Sequence, residues 1–374
     1  MKHTNKSPER IVVKVGTSSL VSELGSLDPG KMGHLVEQLA ALKRQGKDVI
    51  LVSSGAIRAG MQRLGMEQRP KSIPEQQASA AIGQGFLMQT YTELFSRHEI
   101  VPAQVLVTRD DFHNRVRYLN ARNTLCTLLG FGSIPIVNEN DTVAVEEIRF
   151  GENDTLSALV AACVGADLLV NLSDVDGLYD ADPRLDGDCA LIEEVAQITP
   201  EIEQLAGGTS GVCGSGGMKS KIEAAKIAVN SGVRMVIANA SRSNVITDVV
   251  AGESIGTRFL SNAVELNQRK RWIAYGSRVK GSLVINEGAR KMLAERGKSL
   301  LAAGIVGCDG LFEAGDLVAV VDETAEQIAR GFTNYGASEI EQIKGKRSTE
   351  IEKILGRKDF DDEVIHRDNL VLGV

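Results

Sequence analysis

Lysines beside glycine-rich turns are the first sign of chemistry in this sequence. Lys14 sits near the carboxyl end of an apolar run, RIVVKVG from Arg10 to Gly16, followed by Thr17, Ser18 and Ser19. An ammonium inside an Ile/Val strand is costly without a partner. The turn behind it supplies backbone N–H groups and hydroxyls of the kind that cradle phosphate. The plainer account of Lys14 is an edge lysine whose stem snorkels to water. Much later, SGGMKSK (Ser215 to Lys221) brings Lys219 and Lys221 to a glycine-rich loop that enters a helix. Asp154 and Asp174 lie between the two lysine loops. Cations over the transferring group, backbone donors and an acidic anchor make up the inventory of phosphoryl transfer. The strict phosphate-loop pattern GxxxxGKS/T is absent, and GxGxxG does not follow the first strand, which argues against a dinucleotide fold.

Polar residues collect at other strand ends. DVILV (Asp48 to Val52) runs into Ser53, Ser54 and Gly55, a strand-to-helix turn with free N–H groups suited to a carboxylate or phosphate. A short strand, Ile134 to Val137, runs into Asn138, Glu139, Asn140 and Asp141. Gly151 to Asp154 open a helix through Cys163, and Asn153 or Asp154 reads as its N-cap. Capping accounts for one of these polar residues, not for the set. The stretch LLVNLSDVDGLYDADP (Leu168 to Pro183) is a buried strand breaking into an aspartate- and glycine-rich loop. Ligands of open α/β sheets bind beyond such strand ends.

The elements that must position these residues alternate in a regular way. Helical spacing covers Leu27 to Gln45, with Asp28 as N-cap and Pro29 at the first position, and again Pro74 to Arg97 and Met218 to Ser231. Strands fall at Ile100 to Thr108 and Arg234 to Ala238. Repeated strand, loop and helix give a mostly parallel sheet with helices on both faces. Arg109 to Thr124 mixes charges of both signs after a strand end and reads as a charged loop or a solvated helix face that walls the pocket. From Lys280 the pattern changes to short β-like runs with one helix, Glu287 to Arg296, which predicts a compact second domain. The boundaries expected are a first domain over 8–262, a linker over 263–279 that holds Trp272, a β-rich domain over 280–358, and a tail over 359–374. That tail, ending NLVLGV, reads equally as a docking strand or a loose end.

Composition excludes several classes. The 374 residues fit two domains, and a formal net charge of −7 argues against nucleic-acid binding by bulk electrostatics. The five cysteines (Cys126, Cys163, Cys189, Cys213, Cys308) form no CxxC pair, so neither a disulfide framework nor a zinc site is supported. They read as reduced thiols of a cytoplasmic protein. No apolar run approaches the roughly 20 residues of a membrane span, so no membrane association is expected.

In their order, KVGTSS, VSSGA, NENDTV, FGENDTLSA, LSDVDGLYDADP and GSGGMKSKIEAA resemble the amino-acid kinase superfamily, and within it the branch whose acceptor is free L-glutamate. The segment from Lys280 resembles a PUA domain, and EVIHRDNLVL (Glu363 to Leu372) resembles the ending of such two-domain kinases. Sibling kinases usually show two glycines after the first lysine; here Gly16 stands alone. The resemblance implies an α/β fold, a mostly parallel sheet sandwiched between helices, plus a small β-rich PUA-like domain. It implies ATP and Mg2+ as cofactors and phosphorylation of the glutamate side chain to γ-glutamyl phosphate, the first step toward proline. Proline as an inhibitor acting near Arg109 to Thr124, a homo-oligomer, and transient contact with glutamate-5-semialdehyde dehydrogenase are implied as well.

Residue by residue, the resemblance implies Lys14, Lys221 and Asp154 as catalytic groups, and Ser54, Asp141 and Asn153 as the glutamate site. For ATP it implies Lys14, Ser173, Asp174, Ser215, Gly216, Gly217, Met218, Lys219, Ser220 and Lys221; no residue is assigned as a metal ligand. A glutamate side chain, with a pKa near ~4.3, is already an ionised nucleophile at neutral pH and needs no general base. Two other readings stay open: a different acceptor, such as N-acetylglutamate or carbamate, or an RNA-associated PUA protein. Lys280 to Val374 holds 13 Lys+Arg against 17 Asp+Glu, which argues against the RNA reading.

Overall fold

The computed structural model describes residues 7–22, 26–144, 152–181, 189–207, 215–261, 279–356 and 361–373. Trp272, the expected linker from 263 to 278, and Asp182 and Pro183 at the end of the aspartate loop lie outside them. The chain divides into two compact units, residues 1–111 with 116–264, and residues 112–115 with 265–374.

The first unit is built on β1 (Arg10–Val15), α1 (Pro29–Arg44), β2 (Asp48–Ser53), α2 (Ala56–Leu64), α3 (Ile73–Ser96) and β3 (Pro102–Val107). It continues with α4 (Arg109–His113) and α5 (Arg115–Gly130), apart from residues 112–115, which group with the second unit, and then β4 (Ile134–Glu139), α6 (Glu152–Val164), β5 (Leu168–Ser173) and β6 (Glu194–Val195). The remaining elements are α7 (Pro200–Gly207), α8 (Ser215–Asn230), β7 (Arg234–Asn239), α9 (Val245–Ala251) and β8 (Thr257–Phe259). One eight-stranded sheet runs β3-β4-β2-β1-β5-β7-β8-β6, parallel except where β7 meets β8. Central β1 and β5 are apolar and buried along nearly their whole length because helices cover both faces.

Local chemistry sets the helix starts. Asp28 caps α1, its Oδ1 accepting from the backbone of Gly30 at 2.9 Å and Lys31 at 3.2 Å, with Pro29 at the first position as expected. Gly55 opens α2 in the left-handed region at φ 103°, a conformation that strains any residue with a Cβ. Where α2 crosses α3 the backbones touch: a Cβ on Gly83 would lie 1.8 Å from the carbonyl oxygen of Ala56, and one on Gly60 equally close to that of Ser79.

Several expectations are corrected. Of the two readings of Arg109 to Thr124 the helix holds, as α4 and most of α5, but it is not simply a solvated face, because Phe112 and Tyr118 are buried. Asn153 and Asp154 do not cap α6; that helix begins at Glu152, and both side chains are drawn across the sheet instead. α8 begins at Ser215, three residues before the expected Met218, so Ser215 to Gly217 is helical rather than loop despite two glycines.

The second unit contains β9 (Gly281–Ile285), α10 (Glu287–Arg296), β10 (Leu300–Leu301), β11 (Ile305–Gly310), β12 (Leu317–Val321) and β13 (Gln327–Phe332). Then come α11 (Ala337–Ile343), α12 (Ser348–Leu355), β14 (Glu363–Ile365) and β15 (Leu370–Leu372). Its main sheet runs β11-β9-β12-β13-β15, antiparallel except for β9 beside β12. The expected α10 is present, while α11 and α12 went unforeseen. The tail docks: β15 pairs antiparallel with β13, and Leu370 joins the buried core of Leu283, Val320 and Ile365.

Candidate active site

Parallel strands bring their carboxyl ends to one edge of the sheet. Lys14 is in register with Val52 on β2 and Asn171 on β5, and Val52 with Val137 on β4. These four residues form one row just inside that edge. The next residues outward, Ser53 and Asn138, carry polar side chains into the buried rim. β1 is the fourth strand of eight, and Lys14 is 6% exposed, so the snorkelling account does not apply.

Two polar clusters occupy this edge. In the first, Lys14 Nζ pairs with Oδ1 of Asp154 at 2.6 Å, and Lys221 Nζ reaches Oδ2 at 3.5 Å. The Ser220 hydroxyl donates to Oδ2 at 2.6 Å, and Nδ2 of Asn171 donates to Oδ1 at 2.9 Å. Lys221 also donates to the carbonyl of Gly217, one helical turn back, at 3.1 Å. Burial lowers the Lys14 pKa, reinforced by Lys221 and opposed by Asp154. Burial works to raise the Asp154 carboxyl, but Lys14 and Lys221, with the donors from Lys14 and Ser220, outweigh it and hold it below the usual carboxylate range. Within this cluster one carboxylate is shared by two lysines, and Asp174 acts on Lys14 as a second, more distant negative charge.

The second cluster consists of amides and hydroxyls. Nδ2 of Asn153 donates to Oγ of Ser54 at 2.8 Å, to Oδ1 of Asn138 at 3.0 Å and to the carbonyl of Ser53 at 3.3 Å. Asn138 in turn donates to Oε1 of Gln84 at 2.9 Å and accepts from the backbone N–H of Glu139 at 2.9 Å. That backbone donor fixes which way the Asn138 amide faces, and so the sense of the whole chain of amides. Behind it, the hydroxyls of Ser53 and Tyr91 meet at 2.9 Å. Oδ1 of Asn153 and Nε2 of Gln84 are buried with no hydrogen-bond partner, one free acceptor and one free donor. Asp141 lies two residues beyond the end of β4, and burial pushes its carboxyl up to about 6, with Arg69 pulling the other way.

The first turn of α6 joins the clusters. Asn153 belongs to the amide side and its neighbour Asp154 to the lysine side, so a group held by one lies next to the other. Of the residues expected from the sequence, Lys14, Asp154, Ser220 and Lys221 come together, as do Ser54 and Asn153. Ser173 donates from its hydroxyl to Asp174 at 3.1 Å, beside the lysines at the end of β5. Lys219 is exposed and lines a cavity of about 450 Å3 between α7 and α8 with Glu203, Gln204 and Ile222. Gly217 is exposed and Met218 half-buried on the first turn of α8, and the side-chain positions of Ser215 and Gly216 lie outside the described residues. Asn138 stood among the polar strand-end residues without a stated role, while Gln84 and Asn171 had not been singled out. Asn171 left a faint signal, a polar residue within LLVNLS; Gln84 left none in its small-residue helix. Among the described residues no three His, Cys, Asp or Glu side chains gather in a way that could hold a metal ion, and no helix is long and apolar enough to cross a membrane.

Comparison with known proteins gives the family of each part of the chain. Residues 9–239 match the model of the amino acid kinase family, and residues 281–355 match that of the PUA domain. A protein of Caldanaerobacter subterraneus subsp. tengcongensis named glutamate 5-kinase is 53% identical over 97% of this chain and 97% of its own length. One of the same name from Carboxydothermus hydrogenoformans is 51% identical over 100% of both chains, and one from Geobacter sp. is 48% identical over 99% of both.

Proposed function

The chain belongs to the amino acid kinase family, and we propose that it transfers the terminal phosphoryl group of ATP to the side-chain carboxylate of L-glutamate. The observation that carries this reading is the lysine pair sharing Asp154 directly beside the amide cluster of Asn153. An anion must attack a polyanion, so preorganised positive charge is the main catalytic requirement.

In this reading glutamate binds over the amide cluster. Ser54, Asn153 and Asp141 hold its α-carboxylate and α-ammonium, and its side-chain carboxylate points toward Lys14. Being ionised already, that carboxylate attacks without a base. Lys14 and Lys221 neutralise the phosphoryl oxygens from two sides while Asp154 keeps both ammonium groups in place. Ser173, Asp174 and the first turns of α8 receive the nucleotide. The Asp154 carboxylate already meets four donors, which leaves it no free position for a metal ion; Mg2+ arriving with ATP would supply further neutralising charge. The first unit holds every residue named. The PUA-like unit, a cytoplasmic location, assembly into a homo-oligomer and inhibition by proline, which shares the α-carboxylate and amine of glutamate, complete the proposal.

An assay with glutamate, ATP, Mg2+ and hydroxylamine tests it, because an acyl phosphate is trapped as a hydroxamate. Hydroxamate from glutamate and none from N-acetylglutamate is the expected result. The reverse would assign a different acceptor, one lacking the cation that Asp141 meets in this reading.

A further inference from the structure

The amide at position 171 breaks the local pattern of its strand. Asn171 stands inside β5, in the run LLVNLS, between Val170 and Leu172, and is fully buried. Leucine or valine would pack there with no polar atom to satisfy. Asn171 instead leaves its Oδ1 buried without a hydrogen-bond partner. Such departures from an otherwise consistent strand collect at functional sites. The donor end of the amide is engaged, Nδ2 giving to Oδ1 of Asp154 at 2.9 Å. Asn171 is also the register partner of Lys14, so both side chains rise from the same face at the same level. Lys14 bonds the same oxygen, Oδ1 of Asp154, at 2.6 Å.

We propose that Asn171 is a positioning residue for phosphoryl transfer, whose amide fixes the plane of the Asp154 carboxylate so that it stays divided between Lys14 and Lys221. The inference rests on the kinase reading above. Each carboxylate oxygen meets one lysine and one neutral donor: Lys14 and Asn171 on Oδ1, Lys221 and Ser220 on Oδ2. Lysine ammonium groups sit on long flexible stems and would follow the phosphoryl group during transfer. The neutral donors come from a central strand and a helix turn and do not leave. With both in place the carboxylate cannot rotate toward one lysine and release the other. Without Asn171, Oδ1 is held by Lys14 alone, and the spacing of the two cations is no longer fixed before ATP arrives.

The test uses Asn171→Leu and Asn171→Ser in the full chain, with the hydroxamate assay, ATP binding by calorimetry and thermal unfolding of each variant. Loss of one hydrogen bond to a charged group is expected to lower kcat about tenfold. The KM for glutamate and the Kd for ATP should stay within about twofold, since no substrate contact is removed. In an Asp154→Asn background the Asn171 substitution should have little further effect, because residues acting as one unit are not additive. Additive losses would overturn the proposal, as would wild-type kcat in the serine variant, which is small enough to fit should the leucine variant not fold. A wild-type chain that makes no hydroxamate would overturn the kinase reading itself, whereas an active wild type with unaffected variants overturns only the role of Asn171.

Discussion

Asn153 and Ser54 lie 99 positions apart in the chain and meet at 2.8 Å across the carboxyl edge of the sheet. Their contact ties the first turn of α6 to the turn between β2 and α2, and it places Asp154, the next residue, against the lysines. A division of labour between two adjacent residues follows from this geometry.

Asn153→Ala should act on glutamate, raising its KM by about tenfold, the order expected for a lost hydrogen bond to a charged group, with ATP affinity unchanged. Asp154→Ala should instead lower kcat by more than that while leaving the KM for glutamate nearly intact. Steady-state kinetics with glutamate and ATP varied separately distinguishes the two signatures, and identical effects from both substitutions would contradict the separation.

Lys14→Ala and Lys221→Ala should each lower kcat by about 10²–10³, the usual loss when one preorganised donor to a transition state is removed. Single-turnover measurements at saturating substrate check this, and wild-type kcat in either variant would exclude that lysine from the transfer step.

Asp141 should impose an acid limb on glutamate binding. Burial holds its carboxyl at about 6, and only the ionised form attracts the substrate ammonium. Accordingly kcat/KM for glutamate should fall as pH drops through about 6, and Asp141→Asn should bind poorly at every pH and lack this limb. Stability runs the other way. A carboxyl whose folded pKa lies above its ordinary 3.8 binds protons more tightly when folded, so its burial cost appears as pH rises from 3.8 through about 6. Asp141→Asn should therefore raise the Tm at pH 8 and leave it unchanged near pH 3.

Two glycines on α3 should behave oppositely. Gly83→Ala forces a methyl into the Ala56 carbonyl and should cost several kcal/mol, on the order of an overpacked core or more. At Gly85 an added methyl would meet nothing within 4 Å, and Gly85→Ala should stabilise the helix by about 0.5–1 kcal/mol. Chemical denaturation of both variants gives the comparison.

The two lysines of the candidate site were legible in the sequence because they violate their surroundings. Lys14 interrupts an Ile/Val strand, and Lys221 follows glycines that begin a helix. The parallel sheet was legible for a similar reason, since its strands are short apolar runs bounded by turns. What escaped were residues whose role is made by tertiary placement. Gln84 joins the amide network only because Gly83 lets α3 press against α2. Arg109 to Thr124 stayed open between a loop and a solvated helix face because its buried Phe112 and Tyr118 stand among charges that hide the period. The second unit's α11 and α12 are short, and each carries charged or polar residues between its few buried positions, Ile340, Ile343 and Ile351.

The docking of β15 against β13 has a consequence for biogenesis. Domains form as units during synthesis, the amino-terminal one first. The large sheet has all its strands once Phe259 has been made. The small sheet lacks its edge until residues 370–372 appear, so β13 has an unpaired backbone throughout the intervening elongation. An exposed strand edge is a template for wrong pairing. Premature termination a few codons short of β15 should thus yield a chain with an intact first unit and a sticky second one, a species prone to aggregation.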